Sequence, residues 1–163
     1  MKLPDDIAAL AEETVTALKA GGLTVATAES CTGGLIAGAL TSVAGSSDVV
    51  YGGFVSYANE AKISMIGVPF GLLKQFGAVS KEVAMAMADG AIAAAGTHVA
   101  VAVTGIAGPT GGSADKPVGL VHFSVATEAG TTHLRKVFPG NRDEVRHATV
   151  VQALKLLLKA AKA

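Results

Sequence analysis

Three short segments of the 163-residue chain hold the residues able to do chemistry. Glu29-Ser30-Cys31-Thr32-Gly33-Gly34 sets a serine and a cysteine ahead of two glycines. Tyr57-Ala58-Asn59-Glu60-Ala61-Lys62 supplies a phenol and an amine, and Thr104-Gly105-Ile106-Ala107-Gly108-Pro109-Thr110-Gly111-Gly112 is a glycine-rich run. Ser30 has two readings. A hydroxyl just before a helix can cap it. Alternatively, Ser30 is a nucleophile, with backbone N–H groups at the helix start, Gly33 and Gly34 included, holding an oxyanion. The readings compete, because a capping hydroxyl is less free to attack.

A serine nucleophile needs a base. The four histidines are poorly placed for it: His98 begins an expected strand, His122 lies within one, and His133 and His147 sit far from the three segments. Lys62 is the better candidate. It falls in the first turn of a helix that Asn59 can cap, where the helix dipole and partial burial both disfavour a charged amine. A neutral lysine can take the serine proton; otherwise Lys62 is an ordinary solvated side chain. The spacing is not the Ser-x-x-Lys of penicillin-binding enzymes. Tyr57 either donates a hydrogen bond at the site or buries its ring. Cys31 is either a rival nucleophile or a small buried residue.

The glycine-rich run has neither the Gly-Lys-Ser/Thr of a P-loop nor the glycine spacing of a dinucleotide fingerprint. It reads as a weak phosphate cradle or as a surface loop. Phe138-Pro139-Gly140-Asn141-Arg142 leads into the last helix, with Arg146 one turn on. Two arginines at a helix start make an anion site, unless Asp143 and Glu144 pair with them. No His, Cys and carboxylate cluster has ligand spacing, so no metal and no cofactor is expected.

The elements that would position these residues follow from periodicity. Pro4-Asp5-Asp6 opens a helix with Ile7, Ala11, Thr14 and Leu18 on one face. Leu23–Ala28 reads as a strand and Leu35–Val43 as a helix. Tyr51–Tyr57 is a strand, with short helices from Asn59 to Met65 and near Gly71–Gln75. Ser80 caps a long Ala- and Met-rich helix. His98–Thr104 alternates Val and Ala without a polar break, as a strand buried on both faces does. Val118–Thr127 and Thr132–Phe138 form a hairpin, and a last helix carries Val145, Ala148, Val151, Leu154 and Leu158. The order α-β-α-β-α-α-β-β-β-α predicts one domain over residues 1–163. The fold class is a three-layer α/β/α sandwich on a mixed, mostly parallel sheet of about five strands. Ligands of such sheets sit beyond the carboxyl ends of the strands, where the three segments would meet.

Composition narrows the function. Half the residues are hydrophobic and only 4% aromatic, so the core is built from Ala, Val, Leu and Ile. Thirteen basic and thirteen acidic residues cancel. That balance lacks the basic footprint of nucleic-acid binding. A single cysteine excludes an internal disulfide and fits a reducing compartment. The acidic N-terminus does not read as a signal peptide, and no apolar run is long enough to span a bilayer. A cytoplasmic protein without membrane partners is expected.

These motifs together resemble the CinA C-terminal family. The resemblance rests on Thr27–Gly34, Tyr57–Lys62, Gly77-Ala78-Val79-Ser80, Thr104–Pro109, Gly111-Gly112-Ser113, Lys116-Pro117-Val118-Gly119, Phe138-Pro139-Gly140 and Arg142, and runs from about residue 5 to residue 160. It implies nicotinamide-nucleotide amidohydrolase activity, converting nicotinamide mononucleotide to nicotinate mononucleotide and ammonia. By the resemblance Ser30 is the nucleophile, Lys62 its base and Tyr57 a supporting group. Cys31, Thr32, Gly33, Gly34, Thr104, Gly105, Ala107 and Gly108 line the substrate site, and Arg142 meets the phosphate. It also implies homo-oligomers and an amidase step without metal. Relatives often carry an N-terminal pyrophosphatase domain; with no such segment here, that activity is expected to be missing. Asn141 stands where relatives commonly have Asp, and still suits a cap. The alternatives are a non-catalytic nucleotide-binding module related to competence or damage responses, and an amidase for another small amide.

Overall fold

The computed structural model describes residues 1–163. Five strands, β1 (Val25–Glu29), β2 (Val50–Val55), β3 (Val99–Gly105), β4 (Leu120–Thr127) and β5 (Gly130–Val137), form one sheet in the order β2-β1-β3-β4-β5. β1 pairs parallel with both β2 and β3, while β4 is antiparallel to β3 and to β5. Four strands therefore run one way and β4 alone is reversed, as the hairpin at Glu128-Ala129 requires.

The alternation in Val99-Ala100-Val101-Ala102-Val103 sorts the two faces of the sheet. Val99, Val101 and Val103 join a core with α1 (Asp5–Ala20), α2 (Leu35–Thr41) and α6 (Arg142–Ala161). Ala28, Ala100, Ala102 and Ala126 face α5 (Lys81–Ala95), backed by α3 (Asn59–Ile66) and α4 (Phe70–Phe76). Small side chains on that face let α5 lie close to the sheet. α5 also approaches α3 closely at Gly90, where a Cβ would run into the Ile66 carbonyl. Ser80 caps α5, accepting from Val83 N–H at 3.2 Å.

Several local expectations change. α3 is capped by the backbone of Ala58, with Asn59 inside the helix as its first residue. On α6 the buried face is Val145, Thr149, Val150, Ala153, Leu154 and Leu157, so Ala148, Val151 and Leu158 fall on its flank. Thr149 can be buried because its hydroxyl donates to Val145 O at 2.7 Å, which a search for apolar residues alone passes over. β4 begins at Leu120, two residues later than expected. Asn141 does cap α6, in a full capping box with Glu144. No helix is long and apolar enough to cross a membrane.

An alanine in place of a mid-helix glycine ordinarily stabilises by about 1 kcal/mol. At Gly90 the collision with Ile66 reverses the sign. Gly90→Ala is expected to lower the unfolding free energy by about 1 kcal/mol or more, read from the urea midpoint; a gain would mean that α3 and α5 are not packed this closely.

Candidate active site

The order β2-β1-β3 puts the end of β1 between its two parallel neighbours, at the point where the crossovers diverge to opposite faces. Ser30 is the first residue beyond β1 and is held there by the sheet. Its N–H donates to Val103 O of β3 at 3.1 Å, and the N–H of Ser56, just past β2, donates to Glu29 O at 2.9 Å. Gly33 and Gly34, at φ of +59° and +102°, then turn the chain into α2 through a backbone region that a Cβ disfavours.

Ser30 does not cap α2. The capping position is Gly34, which has no side chain to offer. The two amides a cap would take, Ile36 N–H and Ala37 N–H, donate instead to Glu29 Oε1 at 2.8 Å and Oε2 at 3.0 Å. Thr32 Oγ1 donates to Oε1 at 2.6 Å and Thr27 Oγ1 to Oε2 at 3.4 Å. The Ser30 hydroxyl is left for another partner, and that partner is Lys62, with Nζ 3.1 Å from Oγ.

Lys62 reaches the serine from inside the protein. On α3 only Lys62 and Ile66, one turn apart, are buried, so a lysine occupies an inward position of the helix. It is 1% exposed, among the largest of the fully buried side chains. Its Nζ also donates to Ser56 O and Tyr57 O, each at 2.9 Å. No carboxylate pairs with it; the ion pairs are Lys2–Asp5, Lys19–Asp48 and His147–Asp6. Removing the amine from water without a counter-charge pulls its pKa below the ordinary lysine value.

Cys31, Tyr57, Gly105, Ala107, Gly108 and Arg142 line a cavity of about 190 Å³ with Ile106, Thr110 and Gly111; Ser30 and Lys62 are not on that lining, which reaches them through Cys31, next to Ser30, and Tyr57, whose carbonyl accepts from Lys62. The Tyr57 ring faces outward, 61% exposed, rather than into the core. Cys31 is buried, and burial pushes its thiol up to about 12. Thr104 is buried with its hydroxyl donating to Ala78 O at 2.9 Å, away from the cavity lining. The Gly33 N–H donates to Ser30 O, whereas those of Cys31, Thr32 and Gly34 donate to no protein acceptor. The two arginines divide. Arg142 Nη1 donates to Gly108 O at 2.8 Å on the cavity wall. Arg146 donates to Cys31 O at 3.1 Å and Thr32 O at 3.3 Å, so it clips the Ser30 turn instead of sharing an anion site. Neither pairs with Asp143 or Glu144.

The histidines lie elsewhere: His98 bonds Thr24, His147 pairs with Asp6, and His122 and His133 share a 2.8 Å contact between β4 and β5. Burial lowers His122 to about 4. A larger groove of about 540 Å³ between β5 and the C-terminal half of α6 is lined by His133 but by none of the residues expected at the site. Sequence reasoning missed Glu29, whose signal was there to read. The helix after Gly33-Gly34 has no capping side chain at its start, and its orphan amides need a partner from the preceding turn.

The sequence profile of the CinA C-terminal domain family matches residues 7–161, and the chain belongs to that family. The chain is 52% identical to the nicotinamide-nucleotide amidohydrolase PncC of Escherichia coli K12, over 91% of this chain and 90% of that protein. It is 57% identical to a CinA-like protein of Geobacter sulfurreducens over 82% of this chain but only 32% of that protein. The chain spans about a third of the length of such CinA-like relatives. Among solved structures, the competence/damage inducible protein CihA of Agrobacterium tumefaciens superposes with a TM-score of 0.95 at 52% identity, covering all of both chains.

Burial pushes the Cys31 thiol up to about 12, so at pH 8 it stays in the unreactive thiol form and little of it is exposed. Iodoacetamide at pH 8 is expected to leave the native protein unmodified and to alkylate Cys31 fully in guanidinium. Rapid native labelling would show an open, ionised thiol.

Proposed function

We propose that the chain is an amidohydrolase that converts nicotinamide mononucleotide to nicotinate mononucleotide and ammonia, with Ser30 as nucleophile and Lys62 as base. The observation that carries this reading is the buried 3.1 Å contact between Lys62 Nζ and Ser30 Oγ. The 52% identity to a nicotinamide-nucleotide amidohydrolase along nearly the whole chain supports the substrate.

The contact suits general-base catalysis because of what else Lys62 touches. A charged ammonium has three N–H groups, and the three acceptors Ser30 Oγ, Ser56 O and Tyr57 O would occupy all of them. The neutral amine, favoured by burial, has two N–H groups for the two carbonyls. Its lone pair is then left for the serine proton.

Ser30 Oγ adds to the carboxamide carbon as its proton moves to Lys62. The N–H groups of Cys31, Thr32 and Gly34 are the donors open to the developing oxyanion. Lys62 passes the proton to the departing nitrogen, ammonia leaves, and an acyl-serine remains. A water molecule that gives its proton to Lys62 adds to the acyl carbon. The amine then returns that proton to Ser30 Oγ as the acid departs. Arg142, on the cavity wall, binds the phosphate, and Tyr57, on the same lining, supports the bound substrate.

Ammonia release from nicotinamide mononucleotide by the purified chain tests this. Ser30→Ala and Lys62→Ala are each expected to lower kcat by about a hundredfold or more. Full turnover in either variant, or none in the wild type, would sink the assignment. Arg142→Gln is expected to raise KM for the nucleotide, and free nicotinamide is expected to be a poor substrate for the wild type.

Only the neutral amine can act as base, so kcat/KM is expected to rise with pH through the Lys62 pKa and fall as pH drops below it. That limb lies under the usual lysine value of about 10.4. Stability follows the same sign: the unfolded lysine binds a proton that the folded one gives up, so Lys62 contributes increasing stability as pH rises over that window. A limb at or above the ordinary lysine value would contradict a desolvated base.

A further inference from the structure

Glu29 lies outside the Ser30–Lys62 contact, yet it is 1% exposed and its two oxygens receive four hydrogen bonds. Its donors come from β1 itself, from the Ser30 turn and from the second and third residues of α2. No other side chain caps α2. A carboxylate from the strand end therefore does for this helix what a serine or threonine ordinarily does. The hydroxyls in the turn that could otherwise do so are Ser30 and Thr32. Thr32 is already bound to the carboxylate, and Ser30 is left facing the amine.

We infer that Glu29 is a positioning residue, whose carboxylate takes the α2 amides and the Thr32 hydroxyl so that Ser30 Oγ stays aligned on Lys62. This rests on Ser30 being the nucleophile. Arg146 completes the restraint from the other side: it binds the carbonyls of Cys31 and Thr32 while Glu29 binds the donors around them. Glu29 thus holds the Thr32 hydroxyl and the first amides of the helix that follows the turn, while Arg146 holds the turn's Cys31 and Thr32 carbonyls, each reaching in from a different part of the chain.

The carboxylate matters because every one of its partners is a donor. Glu29→Gln keeps the size but turns one acceptor oxygen into an NH2 group, which faces an N–H wherever it points. Buried amides of α2 then lack a partner, and the turn must shift to supply a hydroxyl. A displacement of the nucleophile by about 1 Å is enough to cost roughly a hundredfold in rate.

The test reads the serine directly. A fluorophosphonate probe forms a bond from Ser30 Oγ to phosphorus, expels fluoride and leaves the serine proton on Lys62, with no need for the natural substrate. In Glu29→Gln the labelling rate constant is expected to fall roughly tenfold or more, still reaching one label per chain. kcat for ammonia release is expected to fall in parallel, with KM and the pH of the lysine limb unchanged. Full stoichiometry at a slower rate separates a misaligned serine from a partly unfolded sample, which would label quickly but incompletely. Labelling and kcat within twofold of wild type would overturn the inference, as would a loss confined to KM. If Glu29→Gln does not fold, Thr32→Val removes only the 2.6 Å bond to the carboxylate. It is expected to slow labelling several-fold, and an unchanged rate would again overturn the inference. A wild type that neither labels nor releases ammonia defeats the reading of Ser30 itself, which is a different outcome.

Discussion

Lys62 brings an amine into the interior with two carbonyls and one hydroxyl for company and no carboxylate. Much of the surrounding structure can be understood as the means of keeping it there. A buried, unpaired ammonium carries a desolvation cost of several kcal/mol in a folded protein. The neutral amine avoids that cost and needs only acceptors for its two N–H groups. The stretch between β2 and α3 provides them at Ser56 and Tyr57, because the chain leaves the sheet before α3 begins and those carbonyls are not used in a ladder. Sheet order does the rest. With β1 between β2 and β3, the first residue past β1 stands where the lysine arrives.

That arrangement makes demands on parts far from the site. Lys62 and Ile66 share the inward side of α3, so the depth of the amine depends on how closely α3 approaches α5. Gly90 permits that approach, and the alanine face of β1, β3 and β4 lets α5 sink toward the sheet. The other face is filled by Val, Phe and Leu against α1, α2 and α6. The Val-Ala alternation of β3 is thus a two-sided specification: bulk toward α1 and α6, close approach toward the layer that carries the lysine.

Much of this is legible in the amino-acid sequence. Glycine punctuation, the Val-Ala run and the acidic helix starts mark the elements, and the strand-end rule brings Ser30, Lys62 and the Gly105 loop to one edge. What could not be read is which of several equivalent donors and acceptors pair. Ser30 as cap and Ser30 with an uncommitted hydroxyl are identical in sequence; the difference lies in Glu29, whose contacts with Ile36 and Ala37 span seven and eight residues. Arg142 and Arg146 likewise look interchangeable at adjacent turns, but only Arg142 lies on the cavity. The phase of α6 slipped because a threonine that bonds its own helix backbone counts as apolar in packing, though not in a hydropathy pattern.

The Ser30 turn shows how the fold keeps two uses of one hydroxyl from competing. A helix start needs acceptors, and a nucleophile needs its oxygen uncommitted. In a turn rich in Ser and Thr the cheapest local solution is for the hydroxyls to cap. Placing an acid at the end of the strand changes that balance, since a carboxylate is the stronger acceptor for helix amides and favours the positive end of the helix. Gly34 at the capping position removes the remaining local competitor. The same logic would hold for the amine in the neutral form the proposed mechanism requires: the two carbonyls are better acceptors than the serine oxygen, so they would claim its two N–H groups and leave its lone pair for the Ser30 hydroxyl. The pairing at this site follows from assigning every stronger partner elsewhere, until the contact between Ser30 Oγ and Lys62 Nζ is the one that remains.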